Sequence, residues 1–410
     1  MNPPPPSPGL SLWLAPHRPL FLAAGLWALL AMLAWQQWGA HLGPAWAAAL
    51  PPRLGTPGLW HAHEMVFGFG GASVAAYFLT AVTSWTDRPP LQGRALAALL
   101  AVWLAARAVM LQAHALPPAL VLAPGAIYFA AVAGRLLRDI AQARAWAKLG
   151  FPALVLAMGA VDAALVWTAL SGQTGLADRL ALAGVLLFAL KVAYVAGAMI
   201  PAFTANALRQ RGADTDTAPP VDRPGLRRAG LALQIAALAC VALADRPGLD
   251  GPLLLAAAAV QALRLCGWRS LAIRGQGLLV MMHLTFGLLV LGLAAVGLGR
   301  LWPASWPLRD ALHLLSIGAM GGMVLSVASR AAARRVGGAL QAGRALPTAH
   351  ALVCAAAVLR AGASQAALPL ADPYSLAAAL WCGAWLLFLI VFVPTTVGPV
   401  LRPVFSGSKA

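Results

Sequence analysis

The chain has 410 residues, of which 61% are hydrophobic and only 10% charged, and its formal net charge is +17. That composition excludes an ordinary soluble enzyme and fits a polytopic membrane protein. The positive charge lies between apolar segments, with no basic–aromatic patch, so it reads as a topology signal and not as a nucleic-acid surface.

Residues 1–16 are Pro-rich and lack a basic stretch, so they read as a flexible tail and not as a signal peptide. A membrane span needs about 20 apolar residues. Twelve candidates follow, at roughly 19–35, 60–85, 94–115, 117–137, 149–171, 179–206, 226–245, 250–266, 277–300, 308–329, 349–368 and 374–401. With the N-terminus placed in the cytoplasm, 21 of the 29 Lys and Arg fall in inside segments and six in outside ones, leaving Arg107 and Lys191 within spans. This bias predicts an all-α membrane protein with both termini cytoplasmic. The polar stretch 209–228 reads as a cytoplasmic linker between a first half at 17–208 and a second at 229–402, with a tail at 403–410. The halves share no motif, so a transporter built from repeats is not supported. Cys240, Cys266, Cys354 and Cys382 are far apart and form no CxxC, which gives neither a disulfide framework nor a thiolate metal site.

The second span opens on Trp60-His61-Ala62-His63-Glu64-Met65, two imidazoles and a carboxylate at a helix mouth. Such groups are costly in a membrane unless they bind something. His61 and Glu64 share a helical face, whereas His61 and His63 are about 200° apart. The two histidines reach one ion only if the opening turn departs from a helix. Below them Gly68, Ala72 and Ala76 form a small-residue row that admits a close neighbour. In the tenth span His313, Ser316, Met320 and Met323 fall on one α-helical stripe beside Gly318, Gly321 and Gly322. A His/Met stripe of this kind suits haem or copper, and equally a packing helix with one interface histidine. His283 lies in the ninth span, two turns from the inner side. It reads either as an axial haem ligand or as a histidine bonded to a neighbouring helix. Arg107, Asp162 and Lys191 lie near the middle of their spans, and a mutual ion pair or triad is their simplest account. Anchoring of haem propionates by Arg107 or Lys191 is the functional alternative. His17, His41, His114 and His350 take a structural reading.

Together these blocks resemble the NnrS family of bacterial inner-membrane, haem- and copper-containing proteins linked to nitric oxide stress. The resemblance covers nearly the whole chain. Its segments are Pro16-His17-Arg18-Pro19, Leu59 to Phe69, Leu79 to Thr86, Ile200-Pro201-Ala202-Phe203-Thr204, the His283 span, and His313 to Arg330. It implies twelve helices, bound haem with copper as a further candidate, and a role in tolerating nitric oxide. His61, His63, His283 and His313 match the family's motif histidines. The residues themselves offer a candidate metal set of His61, His63, Glu64, His313, Met320 and Met323. Two departures stand out. The family pattern has arginine where this chain has Ala198, and Lys191 lies two turns earlier on the same face as a substitute. The inner-loop Gly-His-Thr-Gly-Arg of the family is replaced after Ala333 by Arg334-Arg335-Val336-Gly337-Gly338.

The leading expectation is therefore a haem-binding protein of the bacterial inner membrane whose small-molecule partner is nitric oxide. The chain has no CxxCH motif, Cys-rich cluster or nucleotide fingerprint. Catalysis would need an external donor in the lipid bilayer, such as quinol. The competing readings are a secondary transporter, from the spans and mid-membrane charges, and a haem or copper transport protein.

Overall fold

The computed structural model describes residues 11–40, 54–210, 219–336, 339–365 and 372–406. Its helices are α1 (His17–Ala40), α2 (Pro57–Thr86), α3 (Gly93–Met110), α4 (Pro118–Gln142), α5 (Gly150–Leu170), α6 (Thr174–Gln210), α7 (Pro224–Leu243), α8 (Pro247–Cys266), α9 (Gly277–Leu301), α10 (Leu308–Ala332), α11 (Ala345–Ala361) and α12 (Pro373–Phe392). Among the described residues eleven of them are long and apolar enough to cross a membrane. The chain is thus an all-α multi-pass membrane protein. Each expected span corresponds to a helix, but the eleventh is shorter, and residues 366–371 of that region lie outside those described. So do residues 1–10, 211–218 and 407–410 of the expected tails and linker.

Several helices start where the sequence gives proline or a capping hydroxyl. Pro57, Pro118, Pro224 and Pro247 stand in first turns, where the missing N–H has no helical partner to lose. Between α10 and α11, a short antiparallel hairpin joins β1 (Arg334–Val336) to β2 (Ala339–Gln341). This hairpin stands where the family pattern has its inner histidine loop.

The chain divides into two compact units. One holds residues 1–184 and 385–405, the other 185–384 and 406–410. The division falls within α6 and α12, whereas the halves expected from the polar linker meet at 209–228. In the first unit Arg18 ties the start of the chain to its end. Its Nη1 donates to the carbonyls of Ser11 (2.7 Å) and Gly398 (2.9 Å), and its Nη2 to that of Pro399 (3.0 Å). In the second unit Gly292 of α9 lets α10 approach closely. A Cβ there would lie 2.6 Å from Leu315 Cδ2 and 2.9 Å from its backbone nitrogen.

Candidate functional site

α2 begins with Thr56, whose Oγ1 accepts from Leu59 N at 3.2 Å. The helix is α-helical to His63 and then widens to a π-helix from Glu64 to Phe69, so that Gly70 N–H bonds Met65 O, five residues back. π-helical turns often mark functional sites, because the widened turn re-aims side chains and carbonyls. Here Gly68 O accepts from Trp103 Nε1 of α3 at 3.1 Å. Gly68 also has to be glycine. A Cβ at that position would lie 2.6 Å from Arg107 Nη1, 2.8 Å from Trp27 Nε1 and 3.0 Å from Glu64 Oε2.

Around this turn stands a buried quartet. His63 Nδ1 is 2.9 Å from Glu64 Oε1, and His63 Nε2 is 2.7 Å from Asp162 Oδ1 of α5. Arg107 Nη1 of α3 donates to Glu64 Oε1 at 2.7 Å. All four residues are at most 5% exposed. Carboxylates only accept, so with both carboxyls ionised both ring nitrogens donate and the ring is an imidazolium. Two anions then face two cations and the set is neutral, which is how charges persist in an apolar interior. Gly125 of α4 makes room for Asp162, whose Oδ2 lies 2.6 Å from where a Cβ would stand.

This arrangement corrects the expected triad. Arg107 pairs with Glu64 and Asp162 with His63. Lys191 has neither an ion pair nor a hydrogen bond among the described residues, and its ammonium lies 4.0 Å from the centroid of the Phe188 ring. His61 and His63 do not converge either. The opening turns are helical, and the two rings take separate destinations. His61 stacks on Trp35 of α1, with ring centroids 4.6 Å apart and planes at 26°.

The second unit repeats the device. In α10 a π-helix runs from Leu314 to Gly321, directly after His313, and Gly322 N–H reaches back to Ile317 O. Both π-helical segments thus follow a motif histidine and end at paired glycines. The wider turn breaks the stripe of His313, Ser316, Met320 and Met323, which assumed α-helical phase; Met320 and Met323 are buried. The glycines do not leave an open face. Added Cβ atoms at Gly318, Gly321 and Gly322 would meet Leu288, Trp381 and Thr285. His313 itself is half-buried, and its Nδ1 donates to Arg309 O at 2.5 Å. In the neutral ring that bond selects the tautomer protonated at Nδ1.

The model of the family described as NnrS protein matches residues 11–399. The chain belongs to the NnrS family. No curated protein matches it.

The second unit of this NnrS-family chain holds two more buried imidazoles. His283 is bonded through Nε2 to Thr204 Oγ1 (2.9 Å) and through Nδ1 to Ser270 Oγ (2.8 Å), so it follows the neighbouring-helix reading. His350, expected to be unremarkable at a span end, is 2% exposed and bonded to Thr285 Oγ1 at 2.8 Å. Arg264 of α8 sets its guanidinium beside Gly197, next to Ala198. Pro201 has no N–H for Gly197 O, and Arg264 Nη2 donates to that oxygen at 3.0 Å. Arg264 Nε also donates to Asp222 Oδ1 at 3.0 Å. Sequence reasoning counted Arg264 only among the basic residues of an inside segment and missed its contacts.

Haem asks for an imidazole with a lone pair toward iron and for cations that meet propionates. His313 offers an imidazole whose Nδ1 is bonded to a carbonyl, and Lys191 an ammonium with no counter-ion among the described residues. His63 and His283 have both nitrogens engaged, and Arg107 is committed to Glu64. Among the described residues no three His, Cys, Asp or Glu side chains are placed to hold a metal ion.

Proposed function

We propose that the chain is a haem-binding protein of the bacterial inner membrane that contributes to nitric oxide tolerance. The observation that carries this reading is the Nδ1–H bond from His313 to Arg309 O, which orients the imidazole and raises the basicity of Nε2. Membership of the NnrS family supports the same reading. When bound, haem supplies an iron that takes nitric oxide as a ligand. The residues of the chain hold the surroundings fixed: Gly292 seats α9 against the π-helical segment, and Leu288, Thr285 and Trp381 pack its glycines. Turnover would draw electrons from an external membrane donor such as quinol.

One observation favours a second reading, a proton-coupled secondary transporter. Four ionisable side chains are buried together at His63, Glu64, Arg107 and Asp162, and such groups inside membranes often serve ion pathways. An optical spectrum of the purified protein, with and without dithionite and nitric oxide, separates the two when iron and copper are also measured. We expect a Soret band that shifts on adding nitric oxide. A colourless, iron-free protein would overturn the haem reading in favour of the transporter.

A further inference from the structure

Every buried carboxylate among the described residues already has a cationic partner. Glu64 and Asp162 belong to the quartet. Asp139 pairs with Arg135 at 2.7 Å, Asp250 with Arg300 at 2.7 Å, and Asp310 with Arg360. The buried guanidiniums of Arg107 and Arg264 face Glu64 and Asp222, that of Arg18 faces three carbonyls, and that of Arg330 lies 4.2 Å from the centroid of the Phe203 ring. Lys191 stands apart. It is 7% exposed, lies seventeen residues into the 37-residue α6, and among the described residues has no ion pair or hydrogen bond, its ammonium standing over the Phe188 ring. A ring face offsets only a small part of what dehydrating an ammonium costs.

We propose that Lys191 binds a carboxylate of a membrane-buried ligand. On the haem reading, on which this assignment rests, that carboxylate is a haem propionate and Arg107 is excluded as its anchor. The ligand brings the anion that the fold withholds, so ion pair and burial form together on binding. Carboxylate and ammonium form a charge-assisted hydrogen bond, and no bond is made or broken covalently.

The test titrates purified, haem-free protein in detergent with ferric protoporphyrin and, separately, with its dimethyl ester, reading Soret absorbance. The wild type should bind the free acid at least about tenfold more tightly than the ester. Lys191→Met should abolish that preference by weakening the free acid to the level of the ester, and Lys191→Arg should keep part of it. Without ligand, Lys191→Met should melt at the wild-type temperature or above, since it removes an uncompensated charge. Equal binding of acid and ester by the wild type, or an unchanged preference in Lys191→Met, would overturn the assignment and leave the haem reading intact. Binding of neither compound would overturn both. A marked fall in the melting temperature of ligand-free Lys191→Met would reveal a structural partner and also overturn it.

Discussion

The two π-helical segments share a plan and differ in what surrounds them. Each follows a motif histidine and ends at paired glycines. After His63 the widened turn carries Glu64, and three further ionisable groups close around it. After His313 the segment is apolar: Leu314, Leu315, Ile317 and Met320 are buried, and the one imidazole is held by a backbone carbonyl. The difference teaches that the widened helix is a frame and the neighbours decide its chemistry. In the first unit both nitrogens of the histidine are engaged by carboxylates, which locks helices α2, α3 and α5 together. In the second unit the ring's Nδ1 is bonded to a backbone carbonyl.

The largest effect should come from breaking the first frame's charge balance. Arg107→Met leaves Glu64 buried without its cation, and removing one member of a buried pair costs about 3–5 kcal/mol. Denaturant unfolding in detergent should show that loss, and the double variant Glu64→Gln with Arg107→Met should recover much of it. A loss under about 1 kcal/mol would mean that the charges are not paired. A smaller effect is expected from overfilling the second frame. Gly292→Ala places a methyl against Leu315 and should cost about 1–3 kcal/mol, seen in the same unfolding experiment. The smallest change sharpens the comparison. Trp27 Nε1 is buried beside the quartet with no hydrogen-bond partner, so Trp27→Phe removes an unmet donor and should shift stability by less than about 0.5 kcal/mol. A larger loss would show that the indole N–H serves the quartet.

The spans were legible because each is an apolar run of membrane length, bounded by proline, glycine and basic residues. The histidine motifs were legible because imidazole beside carboxylate is rare in such runs. The π-helical turns were not. A pattern read at 3.6 residues per turn assigns Met320 and Met323 to the stripe of His313, and the wider turn shifts that phase. The ion pairs were misread because three leftover charges were matched with one another. Depth would have separated them. Glu64 lies seven residues into α2, Arg107 three before the end of α3 and Asp162 eight before the end of α5. At 1.5 Å per residue that is roughly 5–12 Å from helix ends facing the same side. Lys191 lies far deeper. The contacts of Arg264 escaped notice because its partner is a carbonyl freed by Pro201, and backbone acceptors leave no mark in composition.

The central claim is that the first histidine frame is a scaffold and the second presents a ligand. Its most direct test compares the Soret spectrum and iron content of purified His313→Ala and His63→Gln, the glutamine retaining one of the two hydrogen bonds. The account predicts that His313→Ala loses its haem with stability close to wild type, and that His63→Gln keeps haem at wild-type stoichiometry while unfolding at lower denaturant. Haem lost from His63→Gln and retained by His313→Ala would contradict it.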